Sequence, residues 1–359
     1  MNKQVYVGMS GGVDSAVTAL LLKNNGYTVT GVTLKVHNKQ VQGATGAVCG
    51  SEQEAKDAAS VCSFLNLEHR LIDYSNEFEQ SVVEHFVNSY LNGYTPNPCI
   101  ECNRKIKFAK LYENAVLNGA DYIATGHYAN VSYDCVTGRF LLQRAADESK
   151  DQTYVLYGLS QDILSRVIFP LGNLTKLNVR RIANDNNLIS ANKPDSQDIC
   201  FVPDGEYASF IEHYANIKSP MGDFVDSNGT VLGKHNGIIR YTIGQRKGLG
   251  IAFGKPMFVK EKDAELNRVV LCSNDELFTK RIFVDNINYI PFESLNGPIK
   301  VTAKLRYSAK DTEAQLIPLS QNSAVLEFTQ PQRAATKGQH AVFYDGNTVL
   351  GGGIITNAE

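Results

Sequence analysis

The stretch from Tyr6 to Ser15 constrains the fold of this chain more than any other part of the sequence. Apolar residues lead into it, two adjacent glycines turn it in Ser10-Gly-Gly-Val-Asp-Ser15, and the residues from Ala16 to Lys23 have helical spacing. A strand, a glycine turn and a helix aim backbone N–H groups and the positive end of the helix dipole at one point. The stretch therefore predicts a phosphate site in an α/β domain.

The turn lacks the lysine of the common nucleotide-binding loop. Val13 and Asp14 stand where the pattern G-x-x-x-x-G-K-[ST] has that lysine, which reaches the β and γ phosphates. Its absence favours a cradle for pyrophosphate, with ATP cleaved between its α and β phosphates. The alternative is a tight turn without a ligand, but both serines and Asp14, set between a strand and a helix, favour the phosphate site.

Composition narrows the class of protein. A chain of 359 residues is long enough for two or three domains, and a formal net charge of −2 gives no global basic field for nucleic acid. The sequence contains no apolar run of membrane-spanning length and no signal-peptide core, so we expect a cytoplasmic protein without a membrane partner. Seven cysteines, an odd number, argue for buried, reactive or metal-bound thiols rather than a disulfide framework.

The first part of the chain alternates strands and helices. The β-branched residues 28–36 predict a second strand, parallel to the first, whose carboxyl end places Leu34 beside a nucleotide base. Residues 121–129 predict a buried strand that ends at Gly126 and His127, where a ligand can approach closely. Plainer interpretations are a core leucine and a surface histidine.

A second informative stretch, residues 95–108, contains a C-x-x-C motif. Two prolines hold the lead-in extended, so Cys99 and Cys102 fall near the start of a helix. We expect this position and the nearby cations to lower the pKa of Cys102 and make it a nucleophile; the cations are Arg104, Lys105 and Lys107. Half of a zinc site and a thioredoxin-type redox pair are the alternatives.

Helical periodicity fades near Pro203, and alternating strand-like segments follow from about Arg281. The predicted architecture is a parallel, doubly wound, Rossmann-like domain at 1–203, a small mixed or β central domain at 204–280, and a C-terminal β-barrel at 281–359. In the central domain, residues 241–250 predict a strand and a basic glycine turn suited to a backbone phosphate, or an ordinary turn.

Several motifs, in their order along the chain, resemble the tRNA-specific 2-thiouridylase family of the PP-loop ATP pyrophosphatase superfamily. The similarity extends over nearly the whole sequence. The motifs are Ser10–Ser15, Asn97–Asn103, Thr125–His127, Lys150–Gln152, Ser196–Phe201, Tyr241–Gly250, Lys304–Tyr307 and Gly338–Gly346.

The resemblance implies ATP-dependent 2-thiolation of the wobble uridine of tRNA. ATP adenylates uracil O2, and Mg²⁺ is expected with the ATP, although the sequence does not assign its ligands. A persulfide donor, which is a sulfur relay or a cysteine desulfurase, transfers sulfur to Cys200. Cys102 then forms a transient disulfide with Cys200 or attacks the activated C2. The implied ATP-binding residues are Gly8, Met9, Ser10, Gly11, Gly12, Val13, Asp14, Ser15, Leu34 and Gly126.

The resemblance also implies a tRNA-contacting surface. Leu34 departs from the methionine frequent in the family, and Cys99 occupies a variable position, so it is not expected to be catalytic. The implied tRNA contacts are Asn97, Pro98 and Cys99 beside the target base, and His127, Lys150, Asp151, Gln152, Arg306, Tyr307 and Gln339 elsewhere.

Two other functions fit part of the sequence. A PP-loop ligase or amidotransferase that adenylates a carboxylate explains the glycine turn but leaves Cys102 and Cys200 without a role. A non-catalytic RNA-binding module that retains the fold predicts no ATP turnover.

Overall fold

The computed structural model describes residues 2–37, 51–191, 193, 199–202, 205–251 and 254–359. Residues 194–198, which include the first three residues of the predicted Ser196–Phe201 motif, and the predicted domain boundary at 203 lie outside the described residues. None of the helices in the described ranges combines the length and apolar character that a membrane crossing requires.

The first domain is built on a parallel sheet in the order β3-β2-β1-β4-β7. The strand order reverses between β1 and β4, which makes the carboxyl ends of these two strands the expected ligand crevice. The strands of this part of the chain are β1 (Gln4–Gly8), β2 (Thr28–Lys35), β3 (Glu68–Asp73), β4 (Tyr122–Thr125), β5 (Asn130–Asp134), β6 (Arg139–Gln143) and β7 (Val167–Ile168).

Helices cover both faces of the sheet, because β1 buries residues on alternate sides. Val5 and Val7 pack in one cluster with α1 and α9, whereas Tyr6 packs in another with α6. The helices are α1 (Val13–Asn24), α2 (Glu52–Phe64), α3 (Ser75–Phe78), α4 (Glu84–Leu91), α5 (Pro98–Cys102), α6 (Phe108–Leu117), α7 (Thr153–Leu156), α8 (Gln161–Leu164), α9 (Lys176–Asp185) and α10 (Tyr207–Tyr214). π-helical turns at Glu79–Val83 and Asn103–Lys107 join α3 to α4 and α5 to α6.

The central region after α10 is a four-stranded sheet in the order β10-β11-β8-β9. Its strands are β8 (Gly222–Val225), β9 (Val231–His235), β10 (Phe258–Asp263) and β11 (Arg268–Cys272). The predicted strand at 241–250 is wrong: a 3₁₀ turn at Ile238–Arg240 is followed by irregular turns with positive φ at Gly244, Gly248 and Gly250. Glycine density, which the prediction gave too little weight, decides the structure there.

The last region is a closed barrel of six antiparallel strands, because β12 pairs with both β15 and β17. The strands are β12 (Phe278–Tyr289), β13 (Ile299–Lys304), β14 (Thr312–Ser320), β15 (Ser323–Arg333), β16 (His340–Asp345) and β17 (Thr348–Ala358). The β5–β6 hairpin of the first domain extends this sheet, since Gln143 on β6 pairs with Thr348 on β17. The Arg144 guanidinium next to this junction lies 3.7 Å from the ring centroid of Tyr344. The hairpin thus connects the first domain to the barrel sheet, whereas the parallel sheet remains separate.

Candidate nucleotide and thiol site

The glycine turn after β1 lies at the amino end of α1, as the sequence predicts. Gly12 is the N-cap, and the Ser15 hydroxyl donates a hydrogen bond to the Gly12 carbonyl at 3.1 Å. The Ser10 N–H donates to Ser15 Oγ at 3.3 Å, which closes the turn. The predicted ATP-binding residues from Gly8 to Ser15 run from the last residue of β1 through this turn to the first residues of α1.

Two glycines fix the shape of the turn. Gly11 has φ +70°, and a Cβ there would lie 2.8 Å from the carbonyl oxygen of Glu54. A Cβ on Gly126, at the end of β4, would lie 2.7 Å from the backbone carbon of Asp14. Within the described part of the chain, the N-cap residue Gly12 offers no side-chain hydrogen bond to the first-turn N–H groups of α1. The turn thus has the glycines and amide donors that a phosphate cradle needs.

The carboxylate of Asp14 is held by two groups from elsewhere in the chain. Lys176, the first residue of α9, places its Nζ 2.8 Å from both carboxylate oxygens, and the Tyr128 hydroxyl donates at 2.9 Å. A second lysine, Lys193, donates to the Gly11 carbonyl at 3.1 Å and pairs with Asp57.

Sequence analysis did not assign these lysines to the loop. A signal was available for Lys176, because a helix that follows a parallel strand begins at the carboxyl edge of the sheet, where β1 also ends. Lys193 stands outside any regular element, so no periodicity pointed to it.

The other predicted contacts of this edge lie at the ends of neighbouring strands. Leu34, near the end of β2, is half-buried and packs between two core clusters. His127 follows β4, with its Nδ1 2.8 Å from the Thr125 hydroxyl. Burial, with a smaller effect of the Lys107 charge, lowers the pKa of His127 to about 3. His127 is therefore neutral near pH 7 and can offer a phosphate a hydrogen bond but no charge.

The C-x-x-C segment begins a helix as predicted. Asn97 is the N-cap of α5 and accepts from the Cys99 N–H at 3.1 Å, and Pro98 occupies the first turn. Cys99 is exposed, whereas Cys102 is 7% exposed and ends α5, beyond the first turn where the helix dipole acts strongly.

The cations near Cys102 are partly committed to another group. Arg104 and Lys105 both pair with the Glu101 carboxylate, at 2.8 and 2.9 Å. Burial opposes ionisation of Glu101, but the hydrogen bonds and charges of these two cations outweigh it and place the pKa of Glu101 below its usual value. Two of the three cations expected to act on Cys102 therefore neutralise Glu101 instead. A lowered pKa of the Cys102 thiol remains a prediction.

Folding brings Cys102 and Cys200 into the same apolar cluster. Cys102 belongs to its buried core, together with Phe86 and Phe201, and the half-buried Cys200 packs against that core. No disulfide forms among the cysteines of the described ranges, which are Cys62, Cys99, Cys102, Cys135, Cys200 and Cys272. Two thiols distant in the sequence thus share one environment.

The lead-in to α5 is held by the two C-terminal regions. The Gln339 side-chain amide donates to the Thr95 carbonyl at 2.8 Å, and the Thr95 N–H donates to the Lys337 carbonyl at 3.0 Å. From the central region, the Lys262 ammonium donates to the Tyr94 carbonyl at 3.3 Å. Burial lowers the pKa of Lys262 to about 8.

The predicted tRNA-contacting trio precedes α7. Asp151 is buried and accepts hydrogen bonds from the Ala145 N–H and the Thr153 hydroxyl, at 3.1 and 2.6 Å. Gln152 and Lys150 are both half-buried. The side-chain oxygen of Gln152 accepts a hydrogen bond from the Tyr128 N–H at 2.8 Å. The structure gives Asp151 and Gln152 internal partners that the sequence did not predict.

The barrel contributes Arg306 and Tyr307, which follow β13. Arg306 donates to the Ala334 carbonyl, and Tyr307 is 47% exposed. Burial raises the pKa of Tyr307, and the charges of Asp151, Lys150 and Cys99 act on the same hydroxyl.

The described residues contain no cluster of three or more His, Cys, Asp or Glu side chains that could hold a metal ion. The site consists instead of an anion-binding turn, a pair of thiols in one cluster, and polar groups of the barrel beside the C-x-x-C helix. Such a site can activate a substrate with ATP and exchange sulfur between thiols.

Three family models match consecutive parts of the chain. Residues 3–204 match a model described as tRNA methyl transferase HUP domain, and residues 208–273 match one described as tRNA methyl transferase PRC-barrel domain. Residues 279–355 match an aminomethyltransferase beta-barrel domain. The three matches follow the order of the parallel sheet, the small central sheet and the barrel.

Curated relatives match over almost the full length, and each is named tRNA-specific 2-thiouridylase MnmA. The relative from Acetivibrio thermocellus is 47% identical over 359 residues, which cover 98% of this chain and 99% of the relative. The relative from Clostridioides difficile is 46% identical, over 99% of this chain and 98% of its own length. The relative from Caldicellulosiruptor saccharolyticus is 45% identical, over 100% of this chain and 99% of its own length. Among solved structures, one match is a 4-thiouridine synthetase–RNA complex with bound ATP, which is aligned over 58% of this chain and 50% of its own chain. Its sequence identity of 15% and its TM-score of 0.38 indicate a low similarity.

Proposed function

The chain belongs to the tRNA-specific 2-thiouridylase family, and from this premise we propose that it catalyses ATP-dependent 2-thiolation of the wobble uridine of tRNA. The observation that carries the proposal is the shared cluster of Cys102 and Cys200 in a chain that also has a PP-loop turn. A PP-loop ligase needs the turn alone. The thiol pair favours sulfur transfer over amide formation.

The descriptions of two family models speak of methyl transfer, whereas the full-length relatives are thiouridylases. Identity of 45–47% over whole chains outweighs a model description in assigning the reaction. The turn itself is suited to ATP.

We assign ATP binding to the turn from Gly8 to Ser15, with Leu34 and Gly126 beside it. Uracil O2 is a poor leaving group, so the reaction needs its adenylation. In that step O2 bonds to the α phosphorus of ATP, and the bond to the bridging oxygen breaks, with its electron pair leaving on pyrophosphate. The first-turn N–H groups of α1 are placed to bind the phosphates.

Mg²⁺ is expected with ATP. It would be held by phosphate oxygens and waters with one or two carboxylates, and it would offset the charge of the phosphates. Lys176 contacts both carboxylate oxygens of Asp14, so we assign no protein ligand to Mg²⁺.

The thiols carry the sulfur. A persulfide donor protein transfers its terminal sulfur to Cys200, whose persulfide then attacks C2 of the adenylated uracil and displaces AMP. Cys102 Sγ attacks Cys200 Sγ, the Cys102–Cys200 disulfide forms, and the electrons of the broken S–S bond leave on the sulfur of 2-thiouridine. A thiol reductant restores the pair for the next turnover.

The tRNA lies, in this proposal, across the first domain (1–203) and the barrel (281–359). Asn97, Pro98 and Cys99 border the target base, and Lys150 and Tyr307 are further contacts. His127 donates a hydrogen bond as a neutral ring, and Asp151 and Gln152 support the surface through their internal bonds. The remaining proposed contacts from the barrel are Arg306 and Gln339.

The proposal is tested with unmodified tRNA, Mg-ATP and a persulfide donor, by mercury-gel retardation of thiolated tRNA. The expected result is retarded tRNA that requires both ATP and the donor. Asp14→Ala is expected to abolish pyrophosphate release and retardation together. Unretarded tRNA with a donor that supports thiolation by the A. thermocellus relative would exclude this function.

A further inference from the structure

Lys176 is the feature of the nucleotide site that the family motifs do not explain. It lies outside every motif that carries the resemblance, yet its Nζ is 2.8 Å from both oxygens of Asp14 in the glycine turn. Its side chain is only 13% exposed. Long lysine side chains usually reach solvent, so this placement is specific.

Three interactions fix Lys176 at the turn. Thr175 caps α9 by accepting from the Asn178 N–H, and Asp147 accepts from the backbone N–H of Lys176 at 2.9 Å. Val179 and Ala183 of α9 pack in the same apolar cluster as residues of α1. The two helices are thereby held with their amino ends together.

The charges of the turn require a cation. A carboxylate in a phosphate cradle repels ATP, and the turn lacks the lysine that common nucleotide-binding loops place after the last glycine. The second lysine at the turn, Lys193, pairs with Asp57 and contacts the Gly11 carbonyl, which is on the α2 side. Lys176 is the lysine at the Asp14 side.

We infer that Lys176 binds the pyrophosphate portion of ATP and stabilises the negative charge that develops on it when the bond to the α phosphate breaks. Lys176 thus replaces, from a distant helix, the loop lysine of other nucleotide-binding turns. Pairing with Asp14 holds its ammonium at the amino end of α1. This inference rests on the proposed use of ATP and adds a residue to it.

The test measures binding of ATP and AMP by calorimetry to the full chain, without tRNA or a sulfur donor. Lys176→Met should weaken ATP binding by about tenfold or more and change AMP binding by less than about twofold, because AMP lacks the β and γ phosphates. Arg181→Met is the matched control, since Arg181 is exposed on the same helix and its removal changes the net charge equally. Lys176→Arg keeps the charge and should retain ATP binding better than Lys176→Met.

A second comparison separates phosphate binding from simple neutralisation of Asp14. If Lys176 only neutralised Asp14, Lys176→Met would have no effect in an Asp14→Asn background. We expect weaker ATP binding there too. Equal losses for ATP and AMP, or no loss in the Asp14→Asn background, would overturn the inference. Normal ATP binding with no thiolation would refute the proposed function and leave the Lys176 result standing, whereas a wild-type chain that binds no ATP would overturn both.

Discussion

The side-chain amide of Gln339, just before β16 of the barrel, donates a hydrogen bond to the carbonyl of Thr95, two residues before the N-cap of the helix that ends at Cys102. The neighbouring Gly338 allows this contact, since a Cβ there would lie 2.9 Å from Tyr94 Cβ. A barrel residue expected to contact tRNA therefore also holds the backbone leading to the proposed nucleophile.

Replacing Gln339 with Leu should destabilise that lead-in. The Thr95 carbonyl loses its donor in a half-buried site, at a cost of about 1–3 kcal/mol in the free energy of unfolding. We expect a lower Tm and faster alkylation of Cys102 in the native protein, measured by mass spectrometry. Gln315→Leu is the control, because Gln315 is exposed on β14 of the same barrel. Unchanged Cys102 alkylation would show that the contact does not order the helix.

Replacing Gly126 with Ala should damage the glycine turn. The added methyl group would lie 2.7–2.8 Å from backbone atoms of Asp14 and Ser15, which cannot move without shifting α1. We expect a loss of stability of about 1–3 kcal/mol and weaker ATP binding, measured by chemical unfolding and calorimetry. Gly297→Ala is the control, because no described atom outside its immediate neighbours lies within 4 Å of the Cβ position there. A normal turn in Gly126→Ala would mean that the strand end is more adaptable than its packing indicates.

His127 should make the protein less stable in mild acid. Its pKa in the folded chain, about 3, lies below the ordinary 6.5 because of burial and the Lys107 charge. Between these values the unfolded chain binds a proton that the folded chain does not, so the stability contribution present above pH 6.5 is lost as the pH falls toward 3. His127→Gln should therefore lose less Tm than wild type between about pH 7.5 and pH 5. The control is His213→Gln at an exposed position, which should lose as much Tm as wild type over the same pH range.

The sequence predicted the parallel sheet, the barrel and a helix start near Cys99 and Cys102, because these elements have local signals such as period-two patterns, helical spacing and prolines. It did not predict that the β5–β6 hairpin extends the barrel sheet, since one pair, Gln143 with Thr348, decides this. Pairing between distant edges leaves no periodic trace in a chain.

The parts of the candidate site that are formed by short sequence motifs could be predicted from the sequence. The glycine turn and the C-x-x-C segment were identified in that way, whereas Cys200 was assigned only through the family resemblance. The contact of Lys176 with Asp14 was missed because it depends on α9 packing against α1. The cations available to Cys102 were overcounted because the burial of Glu101, which pairs with two of them, is a tertiary property. Local spacing identifies candidate groups, whereas packing decides which charges remain available.

Thiol reactivity should divide the cysteines by burial. Burial raises the pKa of Cys62 and of Cys272 to about 11, the latter with a contribution from Glu276. Near pH 8 only about one thiol in a thousand at either position is ionised, and the thiolate is the reactive form. Iodoacetamide should therefore modify the exposed Cys99 and Cys135 and spare these two in the native protein, as judged by peptide mapping. If Cys62 were modified as fast as Cys135 in the native protein, the observed packing around Cys62 would be contradicted. In the unfolded protein the two modification rates should be equal.

Cys200→Ser should abolish thiolation while tRNA binding remains. The hydroxyl of serine does not accept a persulfide sulfur, yet it fits the half-buried place of Cys200 against the cluster that contains Cys102. We expect no retarded tRNA in the mercury gel and an unchanged gel shift with unmodified tRNA. Cys135→Ser, at an exposed position in the turn between β5 and β6, should retain full activity and controls for the loss of a thiol. Full activity of Cys200→Ser would remove Cys200 from the mechanism, and loss of tRNA binding would assign it to substrate binding instead of sulfur transfer.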